Sequence, residues 1–418
     1  MRRTMQKNSK LLALFTALVM TVFVCLDTSF AIGADAQTLL SADNIVEEMG
    51  VGWNLGNSLD ANGAGSDIWS HETHWGNPRV TEDLIKTVKN KGFNTIRVPV
   101  TWYEHITYNN GAYTIDPAWF ARVKEVVDYA YNNGMYVILN IHHEKWVNRS
   151  DLANSYDAMS AELKQVWKQI AEYFAEYGQR LIFEGMNEPR AEGTAEEWNG
   201  CADCYNVINK LNADFINTVR SVESDYRTTR LLMVPGYAAS SASSVFSSLD
   251  KSLFDDPYVA ASVHAYSPYN FTMNNNGDHS TFSSEYKTSL DSIFADIRSF
   301  FTQDDIPVVI GEFSASNYGN LSARVEWAEY YMTLAKEMGI PCVLWDNNVE
   351  ANNGGEAHGY VNRSNNTWYS ASESVVDKLI SVRNDSSIVW GSKRAYPLYS
   401  HSNFSDGMPV PVSNYNIN

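Results

Sequence analysis

Cysteine, basic residues and long apolar runs are all scarce in this chain, and each shortage removes a class of function. Only four cysteines stand among 418 residues. Cys201-Ala-Asp-Cys204 has no second pair to complete a zinc cluster and lacks the strand-to-helix context of a redox motif, so it reads as a local disulfide or two inert thiols. Lys and Arg number 31 against 49 Asp and Glu, a formal charge of −18. A chain this acidic has no electrostatic attraction for nucleic acid or an anionic membrane surface, so no partner of either kind is expected.

The one long apolar run, Leu11 to Leu26, follows the basic residues Arg2, Arg3, Lys7 and Lys10 and precedes Ala34-Asp35-Ala36. That order is the layout of a secretory signal with cleavage after Ala36. Cys25 is a poor lipid-attachment site because the branched Val24 precedes it. The expected organisation is therefore a signal over residues 1–36, a catalytic domain over 37–384 and a C-terminal extension over 385–418, packed on the domain or partly disordered. The mature chain is expected to be secreted, monomeric and free of membrane.

Eight short apolar runs end in polar or charged residues, and segments of helical periodicity separate them. The runs are Val51 to Asn57, Phe93 to Val100, Tyr136 to His142, Leu181 to Glu188, Leu231 to Tyr237, Val259 to Tyr266, Pro307 to Glu312 and Pro341 to Asp346. Interiors such as Val137-Ile138-Leu139 are apolar on both faces, as buried parallel strands require. Between them, Asp116-Pro117 opens a helix whose apolar face is Trp119, Phe120, Val123, Val126, Val127 and Ala130, and another helix runs from Thr81 to Lys91. Eight alternations of strand and helix close naturally into a single (β/α)8 TIM barrel. Ala238 to Leu249 and Asn347 to Asn366 fall outside the rhythm and read as surface loops.

Barrels of this kind place their chemistry at the carboxyl ends of the strands. There the sequence puts Asn54 and Asn57, Arg97, His142 and His143, Asn187 and Glu188, His264 and Tyr266, Glu312, and Trp345, while the fifth strand contributes little. Glu188 and Glu312 belong to strands four and seven, across the mouth from one another. Paired carboxyl groups facing one bond are what glycoside cleavage needs, one attacking and one protonating. Arg97 and Tyr266 would keep one of the two ionised, and the carboxyl without a cation would hold its proton. The pattern by itself fits either assignment.

The strings Gly52-Trp53-Asn54-Leu55-Gly56-Asn57, Glu72-Thr73-His74-Trp75-Gly76-Asn77-Pro78, Asn94-Thr95-Ile96-Arg97-Val98-Pro99, Ile141-His142-His143-Glu144, Gly185-Met186-Asn187-Glu188-Pro189, His264-Ala265-Tyr266 and Gly311-Glu312-Phe313 resemble glycoside hydrolase family 5. They are most similar to its subfamily 4, which contains endoglucanases, lichenases and xyloglucanases. The resemblance runs in order from Leu39 to Ile380. It implies Glu188 as acid/base and Glu312 as nucleophile, with Arg97 supporting the nucleophile. It further implies Asn187 on the sugar 2-hydroxyl, His142 along the −1 subsite, His264 and Tyr266 orienting the glutamates, and Trp345 beneath the sugar ring. Asn54 and His143 are counted with the supporting residues. Leu344 departs from the family pattern, where a second tryptophan is expected, and the departure touches barrel packing.

The activity so implied is hydrolysis of internal β-1,4 bonds in a β-glucan polysaccharide, without a cofactor. A β-mannanase or xylanase on the same barrel is the nearest alternative, and a non-catalytic polysaccharide-binding protein is the alternative of another class. His142-His143-Glu144 invites a metal, but neighbours on a strand point to opposite faces and make poor common ligands, so no metal is expected. Of the tryptophans, Trp75, Trp102, Trp146, Trp198 and Trp345 fall near loops of the catalytic face. Trp345 and then Trp146 are the favoured cleft residues, and Trp119 and Trp167 are read as structural.

Overall fold

The structure is a computed structural model that describes residues 39–65, 67–351 and 356–394, with the backbone of 404–405 and 408–409. The signal reading and most of the 385–418 extension lie outside the described residues. Among the described residues no helix is long and apolar enough to cross a membrane.

Eight parallel strands close into a barrel in sequence order: β1 (Val51–Leu55), β2 (Thr95–Val98), β3 (Tyr136–Asn140), β4 (Leu181–Glu184), β5 (Leu232–Ser240), β6 (Val259–His264), β7 (Val308–Phe313) and β8 (Cys342–Asp346). Every predicted run holds one strand. The seam is the pairing of β1 with β8, from Val51 opposite Cys342 to Leu55 opposite Asp346. The outer ring is α1 (Glu82–Lys91), α2 (Pro117–Tyr131), α3 (Tyr156–Tyr173), α4 (Ala202–Ser221), α5 (Ser243–Ser248), α6 (Ser284–Phe300), α7 (Leu321–Met338) and α8 (Glu373–Asn384). The caps predicted from sequence are present. Asp116 accepts from the Ala118 amide ahead of α2, and Thr81 accepts from Leu84 ahead of α1, which ends at Gly92 in the left-handed region at φ 118°.

The barrel interior is layered. At the amino ends of the strands, Tyr136, Ile138, Ile182, Met233, Ala260, Val309 and Val343 pack in one apolar cluster with Ala42, Ile45, Val46 and Met49 of a further helix, Ala42–Met49, which closes that end. Next comes a buried polar layer of Asn54, Arg97, Asn140, Glu184 and Ser262. Gly311 makes room for it: a Cβ there would lie 3.3 Å from Glu184 Oε1, His264 Nε2 and Ser262 Oγ. Outward-facing strand residues, Leu344 among them, join the larger core beneath the helices.

Two predicted loops turn out differently. In the stretch Ala238 to Leu249, residues through Ser240 extend β5 by way of the left-handed Ala238 (φ 52°) and Ala239 (φ 47°), and Ser243–Ser248 form α5. Buried Val245 and Phe246 anchor this short helix, so two apolar side chains override a serine-rich composition. The stretch after β8 is anchored as well. Asp346 accepts from the Trp53 indole at 2.9 Å and the Val361 amide at 3.0 Å, and Arg363 Nη1 donates to Gly56 O at 2.5 Å. Cys201 and Cys204 form a disulfide at the start of α4, and Cys342 is buried and free.

Candidate active site

Arg97 organises the mouth from β2. Its guanidinium is fully buried and bonded on every side: Nε donates to Glu184 Oε2 at 2.8 Å, Nη1 to Glu312 Oε1 at 2.7 Å and Asn54 Oδ1 at 2.9 Å, and Nη2 to Asn187 Oδ1 at 2.7 Å. Burial opposes the cation, yet Glu184 and Glu312 outweigh it and hold the group charged. Glu184 is itself saturated by Ser262 Oγ at 2.6 Å and Asn140 Nδ2 at 2.9 Å. Asn54 donates to Gly311 O at 2.9 Å and Val343 O at 3.0 Å, so it braces β1 against β7 and β8 behind the mouth.

Glu312, near the end of β7, is reached by the Tyr266 hydroxyl at 2.6 Å on its other oxygen. Arg97 thus holds one oxygen of this carboxyl and a phenol the other. Burial, Glu312 and the bond to it all push the Tyr266 hydroxyl well above its ordinary range, so it remains a donor. Glu188, beyond β4, meets His264 Nδ1 at 2.8 Å and Arg190 Nη1 at 3.5 Å. Burial raises Glu188, but His264, Arg190 and His143 together bring it below the usual carboxyl range. His264 is lowered by burial and raised more by Glu312 and Glu188. Ligating atoms of Glu188, His264 and Glu312 all lie within 4.8 Å of one another.

His142 and His143 line the same mouth. Their rings meet edge to face at 4.4 Å, and His142 lies parallel to Trp345 at 6.0 Å and 3°. Trp345 is seated by Gly56, where a Cβ would come within 2.7 Å of the indole. Burial is the largest cause lowering both histidines, and Arg97 and Arg190 add to it; His143 falls to about 4 although Glu188 pulls it up, so both rings are neutral near pH 7.

Strand alternation, expected to turn His142 and His143 to opposite faces, does not hold at these two residues. β3 ends at Asn140, so the two histidines lie beyond the pleat, and one ligating atom each from His142, His143 and Asp60 falls within 4.8 Å of the others. The Asp60 oxygens already accept from the amides of Asn57 at 2.9 Å and Ser58 at 2.7 Å. Glu144 turns away to accept from Trp102 N at 2.6 Å and Trp146 Nε1 at 2.8 Å. Burial pushes its carboxyl up to about 8.

The tryptophans divide differently from expectation. Trp102 is fully buried and donates to Asn140 O, so it is core. Trp146 is half-buried against the core. Trp198 and Trp75 are the open ones, 60% and 39% exposed. Trp119 and Trp167 are structural, and the Trp167 indole donates to Gly185 O at 2.9 Å, just ahead of Asn187 and Glu188. Glu184, Asn140, Ser262 and Arg190 went unnoticed in the sequence. A charge inside the apolar string Leu181-Ile182-Phe183-Glu184 was the available signal, since period two puts Glu184 on the same inward face as Ile182.

A (β/α)8 barrel with two close carboxyl groups at the carboxyl ends of β4 and β7, one held by a buried arginine, defines a glycoside hydrolase. The comparisons narrow this to a family. Residues 59–351 match the cellulase family, glycosyl hydrolase family 5, and the chain belongs to it. Among its relatives, Endoglucanase A of Clostridium longisporum is 43% identical over 377 residues, covering 88% of this chain and 71% of that protein. A solved broad-specificity endoglucanase of subfamily 4 from Ruminococcus flavefaciens is 52% identical with a TM-score of 0.80, over 83% of this chain and 100% of that one. A xyloglucan-specific endo-β-1,4-glucanase from a metagenomic library, solved with cellotriose, is 38% identical with a TM-score of 0.76, over 81% of this chain and 98% of that one.

Proposed function

We propose that this chain is a secreted, monomeric, retaining endo-β-1,4-glucanase, with Glu312 as nucleophile and Glu188 as general acid/base. The observation that carries the mechanism is the approach of the two carboxyl groups, one oxygen of each lying within 4.8 Å of the other. Retaining enzymes hold the pair about 5 to 5.5 Å apart, whereas inverting ones need about 6.5 to 9.5 Å to admit a water. Glu312 attacks the anomeric carbon while the proton held between His264 and Glu188 passes through Glu188 to the departing oxygen. Glu188, now a carboxylate, then takes a proton from water as that water displaces Glu312.

The surrounding residues take the parts their contacts suit. Arg97 and Tyr266 each hold one oxygen of Glu312 and aim the carboxyl. Because the Asn187 Oδ1 is fixed by Arg97, its amide NH2 is oriented for the sugar 2-hydroxyl. Neutral His142 hydrogen-bonds a hydroxyl without adding charge, and the Trp345 face packs on the apolar side of the ring. Substrates of the cellulose, mixed-linkage glucan and xyloglucan type are supported by the named activities of the relatives.

The test is reducing-sugar release from carboxymethylcellulose, barley β-glucan, xyloglucan, glucomannan and xylan, with NMR of the first anomer formed. Activity on the glucans with net retention, lost in Glu312→Ala, is expected. Net inversion, or activity that survives Glu312→Ala, would sink the mechanism, and turnover of mannan or xylan alone would sink the substrate assignment.

A further inference from the structure

The loop between β4 and α4 carries a cation that none of the assigned roles uses. Arg190 follows Glu188 by two residues, is 13% exposed, and donates from Nη1 to the Glu188 carbonyl at 3.1 Å while that same nitrogen stands 3.5 Å from Glu188 Oε2. Its Nε faces Glu197 Oε1 at 3.4 Å, and its guanidinium lies 4.8 Å over the Trp198 ring. Glu197 is tied down in turn by the Gly193 amide at 3.0 Å, and the Arg190 amide donates to Asn148 Oδ1 at 3.3 Å. The guanidinium is thus fixed by a carboxylate, an indole and one backbone carbonyl, with one face toward the acid/base.

The groups facing Glu188 come from every side. His264 reaches Oε1 from β6, and Glu312 lies beyond it, 3.7 Å from the same imidazole nitrogen. His143 acts on Glu188 from the loop after β3, Glu356 from the loop after β8, and Tyr266 stands nearby. His264 shares its proton with the carboxyls it touches, so its charge varies during the reaction. Tyr266 and His143 are neutral, and Glu312 and Glu356 are acids. Arg190 alone among these brings a charge that no step of the cycle removes.

We propose that Arg190 is a positioning residue that sets the balance between the acid and base forms of Glu188, with Glu197 as its counter-charge. The inference rests on Glu188 being the acid/base. Its charge favours the carboxylate that the second step requires and limits how far up the pH scale the first step runs, and Glu197 tempers that bias.

This arrangement predicts opposite effects from neutralising the two partners. The experiment is kcat/KM against pH for the full chain and for Arg190→Gln, Arg190→Lys and Glu197→Gln. Each is run on two aryl β-cellotriosides, one with an unsubstituted phenol leaving group that needs a proton and one with a 2,4-dinitrophenol that departs without it. On the first, Arg190→Gln should move the alkaline limb up by about one pH unit, and Glu197→Gln should move it down by about half a unit. Arg190→Lys should keep it in place. On the second, none of these shifts should appear.

Limbs that stay put in both neutral variants, or that move the same way, would overturn the proposal. So would a shift common to both glycosides, which a general distortion of the loop would give. An alkaline limb identical for the two glycosides in the unsubstituted chain would overturn the acid role of Glu188 and the inference with it.

Discussion

Two buried arginines in this molecule meet carboxylates in opposite ways. Outside the barrel, Arg122 on α2 grips Glu72 through Nη2 at 2.6 Å and Nε at 2.9 Å, and the Val80 amide takes Glu72 Oε1 at 2.6 Å. Glu72 is fully buried, so that pair is closed. Inside the mouth, Arg97 divides itself between Glu184, equally closed, and Glu312, which has one phenol donor and a 4% opening to the cleft. The chemistry of the pairs is the same. On the proposed mechanism, what separates the reactive pair from the structural one is that its carboxylate keeps a face free of donors and has a neighbour within 4.8 Å that carries the second carboxyl.

The comparison can be broken most directly at its reactive end. Glu312→Ala should lower kcat/KM on β-glucan on the order of 10⁴-fold or more, as removal of a nucleophile does, while the melting temperature changes little. A large fall in Tm would place Glu312 with the closed pairs instead. At the closed end, Glu72→Ala removes the two charge-assisted bonds to Arg122, which keeps Glu125 at 2.6 Å, and should cost about 1.5 to 3 kcal/mol. Chemical denaturation measures it, and the folded fraction should keep its specific activity.

Tyr266→Phe sharpens the contrast by removing one donor from Glu312. A hydrogen bond to a charged group is worth about 1.5 to 3 kcal/mol, so a loss of about 10- to 100-fold in kcat is expected, with KM little affected. An unchanged kcat would show that Arg97 suffices.

Glu144 offers a third case, a buried carboxyl with no cation. Glu144 is raised by burial from 4.5 to about 8, so the folded chain binds its proton more tightly than the unfolded chain does. Its stabilising contribution is complete below pH 4.5 and is lost as pH rises toward 8. Glu144→Gln mimics the protonated form. The substitution should flatten the decline of Tm between about pH 5 and 8, and an identical slope would show that Glu144 is ionised in the fold.

The sequence made the barrel legible because strand and helix differ in period, and each of eight apolar runs ended in a polar group worth placing. Strand lengths were less legible: β5 continues through Ala238 and Ala239, whose left-handed backbone follows from tertiary packing and not from alanine's own preference. At the site, Glu188, Glu312, Arg97, His264 and Tyr266 were each found by their place at strand ends, and the structure brings them together. The third carboxylate, Glu184, was hidden because its satisfaction depends on Arg97, Ser262 and Asn140 from three other strands. The convergence of His142 and His143 was misjudged because alternation holds only while the strand lasts, and β3 stops at Asn140.

The seam between β1 and β8 joins residues almost 300 positions apart, Val51 with Cys342. A chain made from its amino end presents β1 first and β8 last, so the ring is the final thing to close, and such distant pairing is slow. Asn54, which accepts from Arg97, donates to Val343 across that same seam and to Gly311 on β7 beyond it. The arrangement around Arg97 is therefore complete only once the ring has closed, and during refolding hydrolysis should not begin before closure.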